Sequence, residues 1–207
     1  MSSNLIEEIF KCNYCGFKKY QDGPYQNPEP WNGNLCTADY LFVGSNPAYD
    51  PNEVWPSELD DITDIKRFFV KRFQCEPYKG KTVKQFNKIT YWKNIVKIKK
   101  WINEIDHYIS KEEDLNDVCL TEIVHCKSNK QKGVFKCAQK CFDKYFPRIL
   151  ENFKGHYLIL VGKVAEKYLD QITASARGKT IICCRHPNAR FSDNDKKEYL
   201  KNHIIKR

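Results

Sequence analysis

The chain has 207 residues, 41% of them hydrophobic and 29% charged. That is enough for one well-buried domain, too short for two ordinary ones, and unlike disordered or membrane sequence. Its apolar runs are strand-sized, which excludes a transmembrane helix, and its polar, acidic start lacks the basic region and apolar stretch of a signal peptide, so the expectation is a cytoplasmic protein. A formal net charge of +9 attracts polyanions and makes nucleic acid a candidate partner. Ten cysteines are many for a reducing compartment where disulfides are rare, so some are expected to ligate metal and the rest to pack as small core residues.

Residues 11–37 read as irregular, rich in Pro, Gly and Asn, with Cys12, Cys15 and Cys36 among them. A segment this long without regular structure is normally functional or pinned by something. Residues 40–43 form a short apolar run that stops at Gly44 and read as a buried strand. A proline-rich loop follows over 45–61, then a helix over 64–73. Residues 82–109 carry helical spacing, with Trp92, Ile95, Ile98 and Ile102 on one stripe. Residues 117–124 read as a second strand, 137–153 as a helix, 156–161 as a third strand closed by Gly162, with another helix from 163. Thr180–Cys184 reads as a fourth strand, and a last helix runs from about 194 to the end. Apolar strands alternating with helices predict a single-domain three-layer α/β/α fold over 1–207 with a mostly parallel four-stranded sheet. No heptad or exposed-edge signal points to oligomers, so a monomer is expected.

In open sheets of this kind ligands bind beyond the carboxyl ends of the strands. Polar motifs stand at three such ends: Gly44-Ser45-Asn46-Pro47-Ala48, the stretch Glu122 to Cys126, and His186-Pro187-Asn188-Ala189-Arg190. Cys12 and Cys15 form a close pair, while Cys126 and Cys141 lie far downstream with 14 residues between them. Two close and two distant thiolates can enclose one metal centre, iron–sulfur or zinc.

Taken together and in this order, the motifs resemble the uracil-DNA glycosylase superfamily. Gly-Ser-Asn-Pro-Ala is similar to its first motif and His-Pro-Asn-Ala-Arg to its second. Residues 121–126 resemble the strand that holds the base-reading residue, followed by a cluster cysteine. The cysteine pattern resembles the iron–sulfur families, usually numbered four and five, which implies a 4Fe-4S cluster on Cys12, Cys15, Cys126 and Cys141. Cys137 competes for the fourth place, and zinc is the alternative metal.

The resemblance implies a monofunctional DNA glycosylase that flips a uracil or another deaminated or damaged base out of DNA and hydrolyses its N-glycosidic bond. The alternative is a non-catalytic nucleic-acid-binding protein of the same fold. By the same resemblance, Asn46 holds the attacking water and His186 hydrogen-bonds the base oxygen. Gly44, Ser45, Pro47 and Ala48 contact the base, and Arg190 with Asn188 meets the DNA. An aromatic is expected to stack on the base, with Tyr49, Trp55 and Phe68 as candidates. Glu122 stands where many relatives have Asn. An ionised carboxylate only accepts hydrogen bonds, so the base taken is left open among uracil, hypoxanthine, xanthine and others.

Overall fold

The computed structural model describes residues 2–83, 85, 88–108 and 114–205. Five strands form one sheet: β1 Tyr40–Gly44, β2 Val118–Glu122, β3 Tyr157–Val161, β4 Thr180–Cys184 and β5 Ile204–Ile205. Their order is β2-β1-β3-β4-β5, the first four parallel and β5 antiparallel to β4. The expected α/β architecture is observed, with one strand more than the sequence suggested. The last helix ends at Asn202, and Ile204 and Ile205 pair with Ile182 and Ile181. That pair covers the edge that β4 would otherwise present unpaired.

The helices are α1 Ser2–Phe10, α2 Ile62–Val70, α3 Thr90–Asp106, α4 Val134–Asn152, α5 Gly162–Glu166, α6 Leu169–Ser175 and α7 Asp193–Asn202. α1 was not foreseen. Its polar start hides Leu5, Ile6, Ile9 and Phe10, all buried. α2 begins where the Asp61 carboxylate accepts the Thr63 N–H at 2.7 Å, and α7 begins in a capping box of Ser192 and Asp195. In α3 the stripe Trp92, Ile95, Ile98 and Ile102 is buried as expected. The helix is shorter than the periodic stretch 82–109, of which 84, 86, 87 and 109 lie outside the described residues.

Every residue of β1 to β4 is buried, as a parallel sheet covered on both faces requires. Alternate positions face opposite layers. Leu41, Val43, Leu158, Leu160 and Ile181 pack with α1, α2 and α4. Tyr40, Phe42, Tyr157, Ile159 and Ile182 pack with the α3 stripe and Leu200 of α7. A buried ion pair, Lys99 to Asp117, ties α3 to the residue before β2.

The segment 11–37 is irregular apart from a 3-10 turn at Phe17–Tyr20. It is held by protein bonds as well as by any metal. Asn32 and Leu120 exchange backbone hydrogen bonds of 2.8 and 2.9 Å beside β2, and Glu29 N–H donates to His125 O at 2.8 Å. The buried His125 Nδ1–H donates back to Glu29 O at 2.9 Å, and burial brings its pKa down to about 4. Among the described residues no helix is long and apolar enough to cross a membrane.

Ile159 is fully buried between the layers. Ile159→Ala is expected to cost about 2–5 kcal/mol of stability, read as a lower urea midpoint at unchanged slope.

Candidate active site

The topology reverses between β1 and β3, and the carboxyl ends of the strands open there into a cleft of about 390 Å³. Gly44 and residues 45–48 line it, with Glu122, His186 and Asn188. The three motifs therefore converge. Hydrogen bonding between β1 and β2 continues past the strands. Ile123 N–H donates to Gly44 O and Val124 N–H to Ser45 O, both at 3.0 Å, and Ser128 N–H donates to Pro47 O at 3.4 Å. Gln131 Nε2 closes the rim on Ser45 Oγ at 3.1 Å.

This ladder fixes Asn46. Its Nδ2 donates to Ser128 Oγ at 3.0 Å, Pro47 O at 3.1 Å and Cys126 O at 3.5 Å. Two of these partners are carbonyls, which only accept, so the amide nitrogen must lie on that side. Oδ1 is left buried without a partner among the described residues. The side chain offers the cleft one fixed acceptor.

His186 follows β4 in a turn closed by Ala189 N–H to His186 O at 2.8 Å. Asn94 of α3 donates to Pro187 O and to Asn188 Oδ1, and Lys196 of α7 also donates to Pro187 O, at 3.0 to 3.1 Å. Asn188 N–H donates to His186 Nδ1 at 3.2 Å. Nδ1 is thus an acceptor, and the neutral ring carries its proton on Nε2. Loss of water around the ring, then the charge of Lys196, lowers the His186 pKa. The neutral donor tautomer is the favoured state.

The aromatics fall differently from expectation. Tyr49 does not line the cleft; its hydroxyl donates to Pro24 O at 3.0 Å. Trp55 and Phe68 pack edge-on to each other and to Phe69, with the Lys127 ammonium 3.7 Å from the Trp55 ring centroid. Phe68 is a core residue and Trp55 a half-buried ring packed against the core, both braced by cations. Trp92 of the α3 stripe lines the cleft, and so does Tyr91, tilted against His186 with centroids 5.6 Å apart. Tyr91 precedes the α3 stripe, and the helical pattern gave no reason to single it out. Arg190 is exposed in the loop after His186 and does not line the cleft; its neighbour Phe191 is 46% exposed, under the Arg185 guanidinium.

The floor is charged and was not foreseen. Lys127 pairs with Glu53 at 2.7 Å and Glu29 at 3.6 Å, Arg72 pairs with Glu53, and Asn32 Nδ2 donates to Glu29 Oε1. Residues 29 and 32 come from the irregular segment, where no periodicity marks them. Glu122 is buried, and its Oε2 has no partner among the described residues. A Cβ at Gly44 would lie 2.2 Å from that oxygen, so the close approach requires glycine. Burial first, then the Glu29 carboxylate, pushes the Glu122 pKa well above the usual carboxylate range, against the opposing charge of Lys127.

Cys126 is close enough to Cys12, Cys15, Cys137 and Cys141 for their charges to interact, and Cys137 Sγ lies 4.0 Å from Cys15 O. The buried Tyr145 hydroxyl faces Cys12. Among those residues no three Cys, His, Asp or Glu side chains are set to hold a single metal ion. Cys119, Cys183 and Cys184 are buried in strands, as expected of core thiols.

A raised folded pKa means that the stability Glu122 contributes is complete below its ordinary value of 4.5 and is lost as pH rises through the folded value. Glu122→Gln is expected to gain melting temperature relative to the parent at pH 8 and much less at pH 5. An equal gap at both pH values would mean that Glu122 is ionised in the fold.

A solved structure similar to this chain is a mutant of the UNG from Nitratifractor salsuginis, at 16% identity over 84% of this chain and 77% of that one, with a TM-score of 0.41. No curated protein matches the sequence. The family model "Uracil DNA glycosylase superfamily" matches residues 30–206, which include all three motifs of the cleft, and the chain belongs to that superfamily.

Proposed function

We propose that the protein is a monofunctional DNA glycosylase that hydrolyses the N-glycosidic bond of a flipped, deaminated or damaged base. The observation that carries this reading is the fixed pair at the cleft: an Asn46 acceptor with nothing to accept, and a His186 ring held as an Nε2–H donor. Bond cleavage builds positive charge on the sugar and negative charge on the departing base. The C1′–N bond breaks with its electron pair on the base, water adds at C1′, and the proton the water releases ends on the departed base anion. Asn46 cannot take a proton at neutral pH; it orients the water by accepting one of its hydrogens. His186 donates to the base oxygen as charge grows there, and a neutral donor does so without first losing a proton. Tyr91 supplies the stacking face, and its burial keeps the hydroxyl protonated. Gly44 to Ala48 line the base edge. Arg190 and Asn188 stand in the loop after His186, placed to meet DNA phosphates or the gap left by the base.

We further propose a 4Fe-4S cluster at the cysteines: five soft donors gather at one place, and thiolates are the donors such a cluster takes, as zinc also would. Cys12, Cys15 and Cys126 would hold it, with Cys141 or Cys137 as the fourth. Bound there, the cluster supplies a structural tie between the irregular segment and the loop after β2. Purified protein is expected to be brown, with iron and sulfide in equal amounts, and Cys126→Ser to lose the visible absorbance. Colourless protein containing zinc, with oxidative cluster loss excluded, would assign the site to zinc.

The activity is tested on oligonucleotides carrying uracil, hypoxanthine, xanthine or normal bases, in single and double strands. Asn46→Ala and His186→Ala are each expected to lower the excision rate about 10²–10³-fold. No product from any substrate, with DNA still bound, would make this a DNA-binding protein without turnover.

A further inference from the structure

Besides the Asn46 acceptor, Asn32 Oδ1 and Glu122 Oε2 of the cleft have no partner among the described residues. Their residues are 2% and 7% exposed. Buried polar atoms without partners are costly, and at a binding cleft the missing partner is the ligand. Asn32 Oδ1 cannot find one by rotation. Asn32 Nδ2 is held by the Glu29 carboxylate, an acceptor that Lys127 keeps ion-paired, so the amide cannot turn over. Glu122 is pressed against Gly44, in the space a Cβ would need.

The two residues reach the cleft from separate elements. Glu122 ends β2. Asn32 lies beside β2 on the outer edge of the sheet, paired through its backbone to Leu120. Two oxygens of one cleft that both only accept would oppose any carbonyl presented to them. If Glu122 carries a proton, the pair becomes one acceptor and one donor. The groups facing Glu122 favour that state: Glu29 from the N-terminal segment repels a charge there, Tyr91 of α3 and Gly44 of β1 bring none, and Lys127, which opposes it, is engaged by Glu29 and Glu53, as Arg72 is by Glu53.

We propose that Asn32 and Glu122 read the base edge together, Asn32 Oδ1 accepting from a base N–H and Glu122, as the neutral acid, donating to the adjoining carbonyl. The ligand class is a base with a ring N–H beside a carbonyl, and a specificity residue is delivered by the segment that the cysteines anchor. The proposal rests on the glycosylase reading above. It departs from a fixed side-chain amide in one respect: the donor is lost when Glu122 ionises.

The test compares kcat/KM across pH 5 to 9.5 for the parent, Glu122→Gln and Asn32→Ala, on whichever base the parent excises and on its ring-N-methylated analogue. The parent is expected to lose activity as pH rises. Glu122→Gln, whose amide donates at every pH, is expected to lose that alkaline limb and keep excision at high pH. Asn32→Ala is expected to fall about tenfold, chiefly in KM, with the limb retained. The N-methylated base is expected to be a poor substrate for the parent. An alkaline limb unchanged in Glu122→Gln, or a methylated base excised as well as the natural one, would overturn the base-reading role while leaving the glycosylase intact. Absence of excision by the parent at any pH would instead overturn the glycosylase reading, and this proposal with it.

Discussion

The pairing of β1 with β2 does not stop where the strands stop. Gly44 O and Ser45 O go on accepting from Ile123 and Val124, and Pro47 O from Ser128. A parallel ladder normally frays into its loops; this one carries its register into two of them. Because it does, the amide of Asn46 is clamped from three sides, and the backbone of residues 123–128 is pinned from Asn46 to the cysteine at 126. Everything proposed for the cleft depends on that extension. Without it Asn46 would be a rotatable side chain on a flexible turn, able to orient nothing.

The second determinant is the charged floor. Burying Lys127, Arg72, Glu53 and Glu29 together costs solvation that the ion pairs and hydrogen bonds only offset. A hydrophobic floor would hold the fold as well. What the charged floor adds is orientation: it fixes Asn32, braces Trp55 and Phe68 through their faces, and sets the field felt by Glu122. Rigid polar groups arranged before the ligand arrives need not reorganise when charge develops on it.

Much of this was legible in the sequence, and the parts that were not have physical reasons. The four parallel strands announced themselves because strands buried on both faces are continuous apolar runs. Gly44 to Ala48, Glu122, His186 and Asn188 meet at one cleft because the parallel topology leaves strand ends little freedom. β5 escaped because two isoleucines after a helix form no pattern. α1 escaped because its apolar face is broken up by Glu7 and Glu8. Tyr49, Trp55 and Phe68 were candidate stacking rings, yet Arg72 and Lys127 sit against Trp55 and Phe68, and Tyr49 is turned to Pro24. Tyr91, Glu29 and Asn32 come from distant segments. Only the third dimension brings them in, and no spacing encodes it.

Gly44 and Glu122 occupy what is sterically one position. The volume a methyl group would fill on β1 is already filled by a carboxylate from β2. In any set of related chains the two sites are therefore coupled. A longer side chain on the second strand is tolerated only opposite glycine, and a residue with a β-carbon on the first strand demands a shorter or redirected partner. Change in what this cleft recognises can then proceed one residue at a time at position 122, whereas a side chain at position 44 requires a matching change across the strand interface.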